Sequence, residues 1–289
     1  APTATDDTPI IWAPTTRDVV TVAGPEAEAY LQGQLSQDVA GLPVGESAAT
    51  FVLDPQGKVA GWGRIHRVGE QAFEIDTDPG AGAAWEARLR RFLLRTKAEI
   101  ALDEGVPAVA VRGLYSSPDL GVDVLPAIGP GVIGFDAIGH GIDLVVADLP
   151  SDAVEVDAAA LEAHRIAAGV PRWGAELDDA TIPATVGQWV IDVSVSFTKG
   201  CYTGQELVAR IDSRGGNVPQ RLVRLVLEGP APGAGAGVAV GGEEVGTVTS
   251  AADHPDGGSV ALTFVHRSVE IGDEGLVATV DGVAARLLP

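Results

Sequence analysis

The sequence KGCYTGQE at positions 199–206 stands apart from the rest of this 289-residue chain. It contains the only cysteine, Cys201, between two glycines that permit close approach of the backbone to another group. Thr203 and Glu206 have the spacing of a capping box before an apolar run, which predicts a helix that begins near Gly204. Residues 199–202 are then expected in the loop before that helix.

Cys201 is the candidate reactive group of this stretch. A helix N-terminus and a nearby ammonium group both favour a thiolate over a thiol, and the predicted helix and Lys199 supply these two features. The plainer interpretation makes Cys201 a buried small hydrophobic residue, with Glu206 and Arg210 as a cap and an i,i+4 ion pair. Spacing alone favours this plainer interpretation, and no histidine lies in the segment to form a Cys–His pair.

The first two thirds of the chain have the mixed periodicity of an α+β protein. Helices are predicted from residue 25 to about 38, around the apolar stripe at 85–93, and over 157–168, where Gly169 and Pro171 end the helix. Strands are predicted at 50–54 and 59–68 around a hairpin turn, and at 72–76, 106–112, 132–137 and 142–147.

Beyond Arg221 the helical period disappears. Six short β runs follow, at 222–227, 238–240, 244–249, 259–265, 276–280 and 284–288. A closed barrel is the natural assembly of about six short strands that have no helices between them. The predicted organisation is therefore an α+β region over 1–220 and a β-barrel over 221–289.

Composition and charge disfavour several classes of function. The net charge of -21 opposes direct binding to nucleic acid or to an anionic membrane, and no apolar run approaches a transmembrane length of about 18 residues. One cysteine cannot form an intrachain disulfide, and residues 1–12 lack the pattern of a secretory leader, so a cytoplasmic location is expected. The chain has no P-loop, dinucleotide-binding or hydrolase-elbow motif, and its five histidines show no metal-ligand spacing, so no metal is predicted.

One predicted helix is basic on this acidic chain. It carries Arg88, Arg90, Arg91 and Arg95. These arginines form either a solvated helix face, which is the favoured interpretation, or a patch that contacts an anionic ligand.

The KGCYTGQE stretch, continued by Val208, Ala209 and Arg210, closely resembles the motif of the YgfZ-type folate-binding proteins. These proteins are a branch of the glycine-cleavage T-protein (aminomethyltransferase) superfamily. Supporting similarity extends along most of the chain, at 30–39, 54–58, 165–171 and 181–183. The resemblance implies a T-protein-like folate-binding body of two α+β subdomains, a C-terminal β-barrel, and a central cavity for tetrahydrofolate or a derivative.

The resemblance also implies a function. Proteins of this branch support the assembly or repair of iron–sulfur clusters in certain enzymes, including a radical enzyme that methylthiolates tRNA. The motif cysteine is the residue on which they are thought to depend. By matching position, the catalytic candidates are Cys201 and Lys199, and the cofactor-binding candidates are Gly200, Tyr202, Gly204, Gln205, Glu206 and Arg210. The implied partners are folate and iron–sulfur enzymes or their assembly machinery.

Two positions depart from the T-protein pattern. T-proteins carry acidic residues after the hairpin turn, one of them catalytic, where this chain has Ala60 and Gly61, so aminomethyl transfer is expected to be lost. T-proteins also have a glutamate that hydrogen-bonds the pterin, where this chain has Ala167, so folate binding is expected to weaken. Two alternatives remain: a tetrahydrofolate-dependent one-carbon transferase with Asp54 as the replacement acid, and an interaction module without folate or thiol chemistry.

Overall fold

The computed structural model describes residues 9–114, 121–255 and 257–289. A body of strands and helices comes first along the chain. Its elements are β1 (Ile11–Ala23), α1 (Ala27–Gln34), β2 (Ser47–Leu53), β3 (Val59–Gly69), β4 (Ala72–Thr77), α2 (Gly82–Arg90), β5 (Glu99–Arg112), β6 (Asp123–Pro126), β7 (Gly134–Ile138), α3 (Ile142–Asp148), β8 (Val154–Glu155), α4 (Ala158–Ala167), a 3-10 turn (Pro183–Val186), α5 (Gln188–Ser194) and α6 (Gln205–Asp212). No described helix is both long and apolar enough to cross a membrane.

The body is built on one curled sheet. Its strands lie in the order β2-β3-β4-β1-β5-β7-β6, all antiparallel to their neighbours, and the short β8 pairs in parallel with β1. The sheet curls until Arg64 on β3 reaches β6 at its other end, where Nη1 donates to the carbonyl oxygens of Leu125 (3.4 Å) and Pro126 (2.8 Å). β3, the second strand from one edge of the sheet, therefore meets β6 at the other edge along a seam.

A network of buried charges holds this seam. Arg64 donates two hydrogen bonds to Asp76 (2.8 and 2.7 Å) and one to Asp136 (2.8 Å). Arg17 pairs with Asp76 at 2.9 Å, and Arg112 pairs with Asp136 at 2.9 Å. Burial acts to raise the pKa values of both carboxyl groups, but the facing arginines outweigh it and hold both values below their usual range. Both carboxylates are therefore ionised at neutral pH.

Apolar side chains fill the two sides of the sheet. Helices α1 and α2 bury Leu31, Trp85 and Leu89 against Phe73 and Ile75 of β4. A second cluster joins the β2–β3 hairpin to α5 and to the residues that precede α6. Burial of such side chains contributes about 25 cal/mol per Å² of apolar surface, so these two clusters fix the helices on the sheet.

The C-terminal strands form a closed barrel in the order β10-β11-β12-β9-β14-β13. Its strands are β9 (Gln220–Leu227), β10 (Gly237–Val240), β11 (Glu243–Asp253), β12 (Ser259–His266), β13 (Leu276–Val280) and β14 (Val283–Leu288). Helix α4 packs on the outside of the barrel through Ile166. The buried carboxylate of Glu176 accepts hydrogen bonds from the hydroxyl groups of Thr249 (2.7 Å) and Ser250 (2.6 Å), which also ties the body to the barrel.

The architecture agrees with the predicted fold class. The hairpin, the strand at 72–76, the helix after Asp157 and all six barrel strands are confirmed. Asp157 caps its helix by accepting the backbone N–H of Ala160 at 2.9 Å. The first helix is shorter than predicted and spans Ala27–Gln34.

The prediction of a strand at 142–147 is wrong, because this segment is helix α3. Ile142, Val145, Val146 and Leu149 pack against one apolar cluster, and their spacing of i, i+3, i+4 and i+7 is that of a helix face. In a strand, residues 142, 144 and 146 would share a face, yet Leu144 is exposed. A short apolar run is compatible with both the helical and the strand periodicity, and tertiary packing decides which structure forms.

We expect Arg64→Gln to lower the free energy of unfolding by about 3–5 kcal/mol, because it removes a charged partner from each of two buried carboxylates at once. Urea unfolding monitored by tryptophan fluorescence measures this loss. The matched control is Glu86→Gln, which removes an i,i+4 pair with exposed Arg90 and is expected to cost about 0.5 kcal/mol or less. Equal effects of the two substitutions would contradict the role given to Arg64.

Candidate functional site

The motif loop, defined as residues 199–206, crosses the carboxyl end of α1. Lys199 Nζ donates three hydrogen bonds to backbone carbonyl oxygens, those of Gln32 (2.7 Å), Leu35 (2.8 Å) and Gln37 (2.7 Å). The last carbonyl groups of a helix lack partners within the helix, and a cation at that end also interacts favourably with the helix dipole. Lys199 therefore anchors the motif loop to α1.

Lys199 and Tyr202 pack together under the motif loop. The ammonium nitrogen lies 5.3 Å from the centre of the Tyr202 ring, within the range of a cation–π interaction. Burial lowers the pKa of Lys199 to about 8, with Asp38 acting in the opposite direction, so the ammonium form still predominates at neutral pH. Burial raises the pKa of Tyr202 to about 12, so the phenol is neutral. Both side chains hold the loop in place.

Cys201 is exposed on this anchored loop. Its interpretation as a buried small hydrophobic residue is therefore wrong. The neighbouring Gly200 has open space where a side chain would begin, and Phe197, four residues before Cys201, is half exposed. The thiol is thus accessible to a large partner as well as to a small molecule, and its catalytic role stays a prediction.

Gly204 is required by close packing between two backbones. It has a φ of +83°, and a Cβ atom there would lie 2.5 Å from the carbonyl oxygen of Asp54 in the β2–β3 turn. Gly57 in the same turn has a φ of +84°, and a Cβ atom there would lie 2.5 Å from the Cβ atom of Leu207. The start of α6 therefore rests directly on the hairpin turn, and Gly204 serves this contact.

The capping box predicted for Thr203 and Glu206 is wrong. The N-cap of α6 is Gly204, which has no side chain to cap with, and Glu206 is exposed. Thr203 is bound to α1 instead, because its backbone N–H donates to the carbonyl oxygen of Gly33 at 3.1 Å. Contacts with α1 and with the hairpin turn, and not a local capping box, thus position the start of α6.

The remaining motif residues have separate surroundings. Gln205 Oε1 accepts the backbone N–H of Tyr202 at 3.2 Å and so braces the loop. Glu206 and Arg210 are both exposed, and the ion pair predicted between them is absent from the described part of the chain. Their cofactor-binding roles stay predictions.

A cavity of about 310 Å³ lies between the sheet, α4 and residues 170–172. Its volume falls at the lower end of the range of small-molecule sites, roughly 300–1,000 Å³. Five arginines line it, together with three carboxylates: Arg17, Arg64, Arg112, Arg165 and Arg172, and Asp78, Asp136 and Glu162. We call it the arginine cavity. This is a locally cationic site on a chain with a net charge of -21.

The arginine cavity combines an apolar wall with one incompletely paired cation. Trp62, Ile128 and Leu161 supply apolar surface. The side chain of Arg172 is 45% exposed and its Nη1 pairs with Glu162 at 3.1 Å, while its Nη2 meets no acceptor among the described residues. The guanidinium therefore has donors available for an anionic ligand.

The motif loop and the arginine cavity are separate sites, and Trp62 lies between them. No motif-loop residue is among the described residues that line the cavity. Trp62 lines it and belongs to the same apolar cluster as Tyr202. Its Nε1 donates to the hydroxyl of Ser194 at 2.9 Å, at the end of α5. Packing around Trp62 thus connects the motif loop to the arginine cavity, but Cys201 does not line the cavity.

The basic helix α2 does not contribute to this cavity. The prediction of a solvated face is wrong for Arg88, which is buried, donates to the carbonyl oxygen of Leu53 at 2.7 Å and stacks on Phe92. Arg90, Arg91 and Arg95 are exposed. None of the four is among the described cavity-lining residues.

The positions that depart from the T-protein pattern have structural explanations. A Cβ on Gly61 would lie 2.3 Å from Nε1 of the buried Trp85, so the indole occupies the space that a side chain would need. Asp54 Oδ1 accepts the backbone N–H of Lys58 at 2.8 Å and serves the hairpin turn. Ala167 packs toward the barrel, with Ile166, and does not line the arginine cavity. Its side chain therefore faces away from this cavity.

Sequence reasoning missed the arginine cavity. Its charged groups come from β1, β3, β5, β7 and α4, so no local spacing connects them. The sequence contains one signal: Arg64 directly follows five apolar or small residues, 59–63, within a predicted strand. A buried charge needs a partner, and this position therefore implies a carboxylate on a neighbouring strand.

Comparison with known proteins finds similar sequences and a similar fold. No family model matches the chain. The tRNA-modifying protein YgfZ of Edwardsiella ictaluri is 28% identical over 228 residues, which cover 71% of this chain and 66% of that protein. A mitochondrial iron–sulfur cluster assembly factor IBA57 homologue of Neurospora crassa is 26% identical over 251 residues, or 75% of this chain and 54% of that protein.

The crystal structure of the glycine cleavage system aminomethyltransferase T from Bartonella henselae has the same fold. It superposes with a TM-score of 0.77 over 98% of this chain and 86% of that chain, at 19% identity. The chain is thus similar in sequence to YgfZ-type proteins and has the fold of the glycine-cleavage T-protein. The chain matches about two thirds of the length of these bacterial relatives.

We expect Gly204→Ala to lower the free energy of unfolding by at least about 1–2 kcal/mol, because the position has a left-handed backbone and contacts the hairpin turn. Gly200→Ala in the same loop is the matched control, since it has open space and no positive φ, and its cost is expected below about 0.5 kcal/mol. Chemical unfolding of both variants measures the difference. A Gly204→Ala protein as stable as Gly200→Ala would show that the turn does not position α6.

Proposed function

We propose that this chain is an accessory protein for the assembly or repair of iron–sulfur clusters in enzymes, including a tRNA-methylthiolating radical enzyme. The observation that carries the proposal is the exposed Cys201 on a loop that Lys199, Tyr202 and Gly204 hold in place. The names of two relatives, a tRNA-modifying protein and an iron–sulfur cluster assembly factor, agree with this function.

The geometry of the motif loop suits a protein client. An iron–sulfur enzyme is a large partner, and Cys201 needs no access through a narrow pocket. A thiolate is a soft ligand that suits iron–sulfur chemistry. The half-exposed Phe197 adds apolar contact surface on the segment that leads into the loop. Cys201 is thus the reactive group in the proposal, and Lys199 is a positioning residue.

The acidic surface restricts the partners. A net charge of -21 repels the phosphate backbone of tRNA, so the proposed connection to tRNA modification runs through the modifying enzyme and not through direct RNA binding. An exposed free thiol suits a reducing compartment, and we propose the cytoplasm.

We further propose that the arginine cavity binds tetrahydrofolate or a derivative. A pterin needs apolar surface, which Trp62, Ile128 and Leu161 offer, and a glutamate tail needs a cation with free donors, which Arg172 offers. The residues present therefore fit the ligand. Tetrahydrofolate supplies a carrier of one-carbon units when bound, and the residues of this chain bind and orient it.

No observation favours the alternative of a one-carbon transferase. Gly61, one of the two positions that are acidic in T-proteins, has no room for a side chain, because Trp85 fills the space above it. Asp54 is engaged with the amide of Lys58 and does not line the arginine cavity. A transferase would need a proton acceptor that neither position supplies.

We expect Cys201→Ala to abolish function, because it removes the proposed reactive thiol. Stability should not change, because the side chain is exposed. The test is a strain that lacks this gene, in which tRNA methylthiolation is measured after complementation with wild type or Cys201→Ala. Ser213→Ala is the matched control, since this exposed residue near the end of α6 lies outside the motif loop.

Wild type and Ser213→Ala should restore methylthiolation, whereas Cys201→Ala should not. Full restoration by Cys201→Ala would contradict the role of the thiol. Unchanged methylthiolation in the deletion strain itself would contradict the accessory function.

We expect the purified protein to bind tetrahydrofolate in anaerobic equilibrium dialysis, and Arg172→Gln to weaken the binding about tenfold through loss of a charge-assisted contact. Arg90→Gln is the control, because this exposed arginine does not line the cavity. Absence of binding, or equal weakening by both substitutions, would remove folate from the proposal. It would leave the test of Cys201 unaffected, since that test does not involve the cavity.

A further inference from the structure

A second group of polar side chains lies at the seam between β3 and β6, beyond the contacts that Arg64 makes. His66 follows Arg64 by two residues on β3, and its Nδ1 lies 3.9 Å from Oδ1 of Asp123 on β6. Glu74 on β4 is paired directly opposite His66 in the sheet register. Each of the three residues has a ligand atom within 4.8 Å of those of the other two.

His66 is buried without a hydrogen bond. Only 7% of the residue is exposed, and its nearest polar contact among the described residues is the 3.9 Å approach to Asp123, which is longer than a hydrogen bond. The imidazole lines an open cavity beside two carboxylates, so its ring nitrogens are available to a ligand in that cavity.

The surroundings of these three residues are acidic. They line a cavity of about 630 Å³ together with Asp76, Asp103 and Glu104, and its described lining residues include no arginine or lysine. Burial and the neighbouring Asp123 raise the pKa of Glu74, while His66 acts in the opposite direction. The carboxylates therefore repel one another, and a cation would relieve that repulsion.

We propose that His66, Glu74 and Asp123 form a binding site for a divalent first-row transition cation, of which Zn²⁺ is the chemical prototype. The ligand set decides the class of cation, because an imidazole nitrogen favours zinc and its transition-metal neighbours over Mg²⁺ and Ca²⁺.

The ligand atoms, which lie within 4.8 Å of one another, must move closer together to bind one ion. Ligand atoms about 2.1 Å from a tetrahedral zinc ion lie roughly 3.4 Å from each other. His66 and Asp123 are therefore about half an ångström too far apart in their present positions, which follows from the same tetrahedral spacing. The side chain of Asp123 is 54% exposed and free to move closer.

Three protein ligands leave one position of a four-coordinate ion open to water or to an external ligand. The bound cation would also connect β3 and β4 to β6 across the seam. Sequence analysis predicts no metal because Asp123 on β6 is far along the chain from His66 and Glu74, which lie on the consecutive strands β3 and β4, so the three residues form no local metal-binding motif.

The test is isothermal titration calorimetry of Zn²⁺ into the full chain, in a Cys201→Ala background that removes thiolate binding. We expect one saturable site per chain, weakened at least about tenfold by His66→Gln and by Asp123→Asn, since each removes a ligand. Glu104→Gln is the matched control. It removes one charge from the same cavity without removing a proposed ligand, and is expected to change the affinity less than about threefold.

A site of unit stoichiometry that His66→Gln and Asp123→Asn weaken and Glu104→Gln retains supports the proposal. Three results would overturn it: no saturable binding, equal affinity in all variants, or equal weakening by Glu104→Gln, which would indicate only general attraction of cations to an acidic surface. Asp123→Asn keeps the test decisive if His66→Gln fails to fold, because Asp123 is on the surface.

Discussion

The ion pair between Arg64 and Asp76 is the interaction on which the body of the structure depends. A buried guanidinium is costly unless its donors are used, and Arg64 directs its donors to Asp76, Asp136 and the backbone of β6. These bonds hold β3 against β6, the edge strand on the far side of the curled sheet.

The same ion pair divides two cavities of opposite character. Arg64 lines the arginine cavity, and Asp76 lines the acidic cavity that contains His66. The arginine cavity is therefore cationic and suits an anionic organic ligand, whereas the acidic cavity suits a metal cation. A strongly acidic chain achieves this separation because buried arginines are concentrated on one side of it.

The sequence predicts most of the fold but only part of the candidate site. The barrel strands and the hairpin could be predicted because their signals are local, as in the turn around Gly57. The capping pattern predicts the correct start of α6 for a wrong reason, since the contact of Gly204 with Asp54 is a tertiary one that a capping pattern does not contain. The charged cavities escaped prediction because their members meet only after the sheet has curled.

Some properties of the motif loop are evident in the sequence, and others only in the structure. Its position and unique cysteine are evident in the sequence, whereas the exposure of Cys201 and the use of Lys199 as an anchor for α1 are apparent only in the structure. The central claim is that this exposed thiol is the working group of the protein.

Chemical blocking of the thiol tests that claim most directly. Iodoacetamide modifies one defined cysteine in this chain, because Cys201 is the only one and is exposed. The measurement is the rate of iron–sulfur cluster reconstitution in a purified tRNA-methylthiolating enzyme, with unmodified or alkylated protein added. The account predicts that unmodified protein accelerates reconstitution and alkylated protein does not, while both remain folded. Equal acceleration by the alkylated protein would contradict it.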